Sequence, residues 1–106
     1  MNFDINEQIN LKKYLPDKIC LKNMTTFFYA FSDDTRLRII MLLSIKPLCV
    51  GDVSQILNIN QTTISHQLKI LKSLNIVDCD RCGKNIFYYI KNQNIEQFLN
   101  ASVECV

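Results

Sequence analysis

Between Asn60 and Leu74 the chain reads NQTTISHQLKILKSL, and its polar and apolar residues separate onto two sides of one helix. Ile64, Leu68 and Leu71 recur at i, i+4 and i+7, the stripe an amphipathic helix buries. Thr62, Ser65, His66 and Lys69 share another face, and the exposed first turns carry amides, hydroxyls, an imidazole and one ammonium. Such groups can donate to phosphate oxygens or read base edges in a major groove. No carboxylate interrupts them, whereas an ordinary solvated face mixes in Glu or Asp. His66 can contact phosphate or simply cover a neighbour's stem.

The cysteines are the second source of chemistry. There are five, an odd number, better read as thiols, metal ligands or redox sensors than as a disulfide framework. Cys49 falls just before a helix N-terminus, a setting that raises thiol reactivity. Cys20 lies on an earlier helix and Cys105 near the C-terminus. Each of the three can equally serve as a small buried hydrophobe. Cys79-Asp-Arg-Cys82-Gly has the spacing of half a zinc knuckle, but four-coordinate zinc needs two more ligands, so ordinary hairpin residues are the stronger reading.

The elements that must position these groups follow from pattern. Asn60 caps the polar-faced helix, its side-chain oxygen accepting from a first-turn amide. Before it, a short helix from about Val50 to Leu57 presents Val53, Ile56 and Leu57 to a core. Asn58 turns the chain between the two, because Asn tolerates a left-handed backbone better than branched residues do. Helix, tight turn, polar-faced helix is a helix-turn-helix over residues 50–74. Val77 to Arg81 and Ile86 to Ile90 read as strands joined through Cys82-Gly83-Lys84, with Gly83 at positive φ. They form a wing over residues 77–90, with Arg81 and Lys84 near its tip to meet phosphate or the minor groove. Asp78 and Asp80 would oppose that contact if they pointed the same way.

Upstream, Ser32, Asp33 and Asp34 cap a helix from Thr35 to about Ser44 that is apolar nearly all round and reads as the buried central helix, with Pro47 ending it. Pro16 and Asp17 start another, on which Cys20, Met24, Phe27, Phe28 and Phe31 form a wide apolar face. That face either packs on a second copy or fills the protomer's core. Ile95, Phe98, Leu99, Ser102 and Val106 mark a last helix over residues 94–106, expected to contribute with the first to a dimer surface. Residues 1–15 read either as a frayed arm or as a short helix over Ile5, Ile9 and Leu11.

The whole is one winged helix-turn-helix domain of 106 residues, mainly α with a small antiparallel β-hairpin. Between residues 35 and 91, eight basic side chains (Arg36, Arg38, Lys46, Lys69, Lys72, Arg81, Lys84, Lys91) stand against three acidic ones (Asp52, Asp78, Asp80), a balance of +5 that suits a surface facing a polyanion. No window has the roughly 18 apolar residues of a membrane span and the start is no signal peptide, so a cytoplasmic protein is expected.

FSDDTRLRII, PLCVGDV, NQTTISHQLKILKSLNIV and RCGKNIFYYI occur here in an order and spacing that resembles the ArsR/SmtB family of winged-helix repressors. The resemblance spans Phe31 to Ile90. It implies a homodimer on pseudo-palindromic double-stranded operator DNA, released by a metal ion, a metalloid or thiol chemistry, with Gln61, Thr62, Thr63, Ser65, His66 and Lys69 at the DNA-contacting positions. Members that sense soft ions carry Cys-x-Cys where this chain has Cys49-Val50-Gly51, so only the first thiol is present. The family's other site, of Asp and His residues on the last helix, lacks its His here. Polysulfide-responsive relatives use a central-helix thiol, where this chain has Met41 and its neighbours. A soft metal or metalloid site of altered make-up, drawing on Cys20, Cys49 and Cys105 as the dimer brings them together, and a thiol switch both fit.

The resulting expectation is a sequence-specific, dimeric DNA-binding repressor with a cysteine-borne sensor. Its alternatives are a winged-helix module that binds protein and a DNA-binding regulator with no ligand. An enzyme is poorly supported: the single His has no partnered nucleophile, and no phosphate loop or carboxylate pair is visible.

Overall fold

A computed structural model of the chain describes residues 4–104, with side chains through residue 101. Cys105 and Val106 lie outside the described residues, as does the side chain of Ser102. Six helices and three short strands follow in the order α1 (Ile5–Lys12), α2 (Lys18–Ala30), α3 (Asp34–Leu43), β1 (Leu48–Cys49), α4 (Val50–Leu57), α5 (Gln61–Ser73), β2 (Val77–Cys82), β3 (Asn85–Ile90) and α6 (Asn94–Glu104).

The helix starts are set by short polar side chains. Asp4, Asp17, Asp33 and Asn60 each stand before a helix in extended backbone and accept from an amide of its first turn. The α4 to α5 turn passes through Asn58 at φ 55° and ψ 46°, the left-handed conformation its residue type favours. Asn75, at φ 62°, makes the corresponding exit from α5, a second left-handed residue that the sequence pattern does not single out.

Ile64, Leu68 and Leu71 of α5 meet Ile39, Ile40 and Leu43 of α3 in a core closed by Ala30, Val53, Ile76, Val77 and Ile95. The central helix is less enclosed than its composition predicts. Arg38 is exposed and Met41 is 43% exposed, because only one side of α3 faces α5 and the sheet. Ile56 of α4, expected in the core, is 56% exposed. In an eight-residue helix, Val53 and Leu57 already occupy the single stripe that reaches α5.

The wing is a hairpin with a two-residue turn at Gly83-Lys84, Cys82 pairing with Asn85 and Val77 with Ile90; Gly83 takes φ 66°. A third strand, β1, pairs Leu48 with Tyr88 and Cys49 with Phe87, so the sheet order is β1-β3-β2. This pairing ties the start of α4 to the base of the wing.

The N-terminal part stands apart from this core. Residues 5–12 form a helix with no buried residue, and Ile5, Ile9, Leu11, Leu15 and Ile19 are all more than half exposed. The molecule measures 63 × 28 × 22 Å with a Cα radius of gyration of 18.1 Å, against about 13 Å for a compact domain of this size. Phe27, Phe31 and Phe98 cluster at centroid distances of 4.9 to 5.1 Å and join α6 to α2. Phe28, by contrast, is 51% exposed beside them.

Candidate nucleic-acid interface

Asn60 Oδ1 accepts from the Thr63 amide at 2.8 Å, which fixes the first turn of α5 and therefore which residues emerge from the protein. Gln61, Thr62, Ser65, His66 and Lys69, with Val50 of α4, line one open groove of about 460 Å³. Five of the residues singled out from sequence are thus brought together on one face. The lining contains no carboxylate. Thr63 is half-buried and stands outside the groove lining.

Val50 is the unanticipated member. It packs partly on the core, and periodicity within α4 does not mark it because its exposed part matters only once α5 is beside it. An apolar group in such a groove can meet a thymine methyl. Gly51, in the first turn of α4, faces the start of α5: an added Cβ there would lie 3.9 Å from Gln61 Nε2 and 4.0 Å from Cys49 Sγ.

Strand alternation settles how the wing's charges divide. Val77, Cys79 and Arg81 point to one face of the hairpin, while Asp78, Asp80 and Cys82 point to the other. The first face is the one toward α5, since Val77 is buried and the Lys72 ammonium donates to Cys79 Sγ at 3.5 Å. By that alternation Arg81 falls on the α5 side of the strand and Asp80 on the other, while the charge of Asp78 still acts on Lys72 of α5. Lys84 is exposed in the turn. The hydrogen bond from Lys72 to Cys79 raises the lysine's pKa above its ordinary value. Partial burial, with Asp80 and Asp78 nearby, raises the pKa of Tyr89.

The same alternation separates the two wing cysteines. Residues three apart in a strand point to opposite faces, so Cys79 and Cys82 cannot hold one ion between them. Cys49 caps no amide of α4; its thiol instead donates to Asp52 Oδ2 at 3.1 Å. Cys20 is exposed on α2. Among the described residues no three His, Cys, Asp or Glu side chains converge as a metal site, and no helix is long and apolar enough to cross a membrane.

One of the eight cations counted toward the basic surface does not belong there. Arg36 is only 6% exposed and its guanidinium is held inside the protein by Tyr29, Ala30 and Gln67. Sequence gives its charge but not its direction.

Comparison with known proteins agrees with this architecture. Residues 33–78 match the family model for bacterial regulatory proteins of the arsR family. The cadmium resistance transcriptional regulatory protein CadC of Listeria innocua is 37% identical over 82 residues, covering 76% of this chain and 69% of that protein. A transcriptional repressor SmtB homologue of Synechocystis is 34% identical over 74 residues, covering 70% of this chain; the chain spans only 56% of that relative's length. Among solved structures, the homodimeric winged helix-turn-helix DNA-binding domain from Mycobacterium bovis superposes with a TM-score of 0.75 at 25% identity, covering 87% of this chain and 88% of that one. The three-stranded sheet with its wing, the helix-turn-helix and these matches agree: the chain belongs to the ArsR family of winged helix-turn-helix transcriptional regulators, which are not enzymes.

Proposed function

We propose that the chain is a homodimeric repressor that binds double-stranded operator DNA through α5 and is released when a soft metal ion, a metalloid or an oxidant acts on its cysteines. Gln61, Thr62, Ser65, His66 and Lys69 meet base edges and phosphates, Thr63 supports them from the first turn, and Arg81 and Lys84 rest on the neighbouring backbone. The observation that carries this reading is the carboxylate-free groove shared by five polar α5 side chains. An adaptor that binds only protein has no need of a face composed wholly of groups that can serve phosphate and base edges.

Dimerisation is supported by the exposed apolar residues of α1 and α2 and by the homodimeric Mycobacterium bovis relative. Cys49 is the first candidate sensor, with Cys20 and Cys105 as further thiols. Relatives named for cadmium and arsenical resistance make a soft ion the favoured signal.

The test begins with a duplex selected from a random library by the wild-type protein. Its affinity should fall steeply with rising salt. Thr62→Ala or Ser65→Ala should weaken the selected duplex by about 1–3 kcal/mol and leave non-specific binding nearly unchanged. Equal weakening of both duplexes, or none, would remove α5 as the reading element. Adding Cd(II) to the complex should release the duplex from the wild type and not from Cys49→Ser, whose affinity without metal should be unaltered. Release of both proteins alike would count against Cys49.

A further inference from the structure

Arg36 is a buried cation, 6% exposed, yet among the described residues it forms no ion pair with a carboxylate. Something else must balance its charge. Nη2 donates to the Tyr29 carbonyl at 3.0 Å and Nε to the Ala30 carbonyl at 3.4 Å. These belong to the last turn of α2, where carbonyl oxygens concentrate negative charge, although the Tyr29 carbonyl also accepts from the Ser32 amide and hydroxyl. The Tyr29 ring adds its face, 4.8 Å from the guanidinium carbon.

The third edge of the fork points elsewhere. Nη1 donates to Gln67 Oε1 at 3.4 Å, and Gln67 lies on α5 beside His66 and two residues from both Ser65 and Lys69. One planar, rigid group on α3 therefore grips the end of α2 on one side and the second turn of α5 on the other. Neither α2 nor its C-terminal Tyr29 and Ala30 carbonyls otherwise take part in the candidate DNA-binding face.

We propose that Arg36 is a positioning residue for DNA reading: through Gln67 it fixes the placement of α5 relative to α2, so that the dimer's geometry is passed to the helices that enter the DNA. The inference rests on α5 being the reading helix and on α2 carrying subunit contacts. Base-edge hydrogen bonds tolerate only a few tenths of an ångström, and the aliphatic stripe of α5 packs without directional bonds. The guanidinium fork adds directional contacts at the turn that carries Ser65 and His66.

The experiment is a double-mutant cycle on the full chain, with Arg36→Lys, Gln67→Leu and the pair, titrated against the selected duplex and a random duplex. Gln67→Leu keeps the size of the side chain and removes only the acceptor, so it tests the link even if Arg36→Lys folds poorly. It should bind the selected duplex about tenfold more weakly, bind the random duplex within about twofold of wild type, and keep the dimer and the unfolding midpoint. In the Arg36→Lys background, Gln67→Leu should have little further effect. Wild-type affinity for Gln67→Leu, or a full additional loss in the double variant, would overturn the link. Ser65→Ala on the same duplex separates the two levels: if it weakens binding and Gln67→Leu does not, the strut alone falls, whereas no effect of Ser65→Ala removes the reading beneath it.

Discussion

By the resemblance to soft-ion sensors of this family, Gly51 stands where a second thiol is expected, and the structure leaves room for the Cβ of one. An added Cβ would meet Gln61 Nε2 at 3.9 Å and Cys49 Sγ at 4.0 Å, both ordinary van der Waals contacts. Gly51→Cys should therefore fold normally and bind Cd(II) at least tenfold more tightly than the wild type, because it adds a soft ligand beside an existing one. Thiolate-to-metal absorption during a Cd(II) titration measures this directly; an unchanged affinity would show that Cys49 does not point into a metal-binding space. The residue scale is also where sequence reading is weakest. The polar types of α5 were legible, since a side chain's chemistry and its place in a 3.6-residue period are both linear properties. The burial of Arg36 was not, because its three acceptors lie on α2 and α5 and only folding brings them to one guanidinium.

At the scale of the element, α5 combines a well-packed stripe with a capped first turn, and the two can be separated by mutation. Asn60→Ala removes the acceptor for the Thr63 amide and should cost about 1 kcal/mol of stability. Leu68→Ala, at a fully buried position, should cost about 2–5 kcal/mol. Urea unfolding at neutral pH compares them. The first substitution should also impair DNA binding beyond its effect on stability, since Gln61 and Thr62 belong to the turn it loosens. A Leu68→Ala loss smaller than that of Asn60→Ala would contradict the packing described. Helix starts were readable from Asp17, Asp33 and Asn60 because a cap is a local interaction. The left-handed turn at Asn58 was readable for the same reason. Strand β1 was not, since two residues have no period of their own and exist as a strand only through pairing with Phe87 and Tyr88. The exposure of Ile56 escaped pattern reading because a short helix offers several candidate stripes, and contact with α5 chooses among them.

Across the whole molecule, the contrast between a dry helix-turn-helix core and an uncovered N-terminal arm is the feature that calls for a second copy. Met24 and Phe28, 42% and 51% exposed on α2, lie beside the aromatic cluster that joins α2 to α6. Fully burying an exposed side chain of this kind contributes about 1.5–3 kcal/mol; Met24 and Phe28 are already about half covered, so each has roughly half of that left to give to a dimer contact. Two recognition helices linked in this way should meet one face of the duplex in successive major grooves, about 34 Å apart. The most direct test is a footprint of the wild-type protein on its selected duplex, read at single-nucleotide resolution in the major groove. The predicted result is two protected patches whose centres lie about one helical turn, roughly 10 base pairs, apart, both requiring about tenfold or more additional protein with Ser65→Ala. A single patch, or a protein requirement unchanged by this substitution, would contradict it.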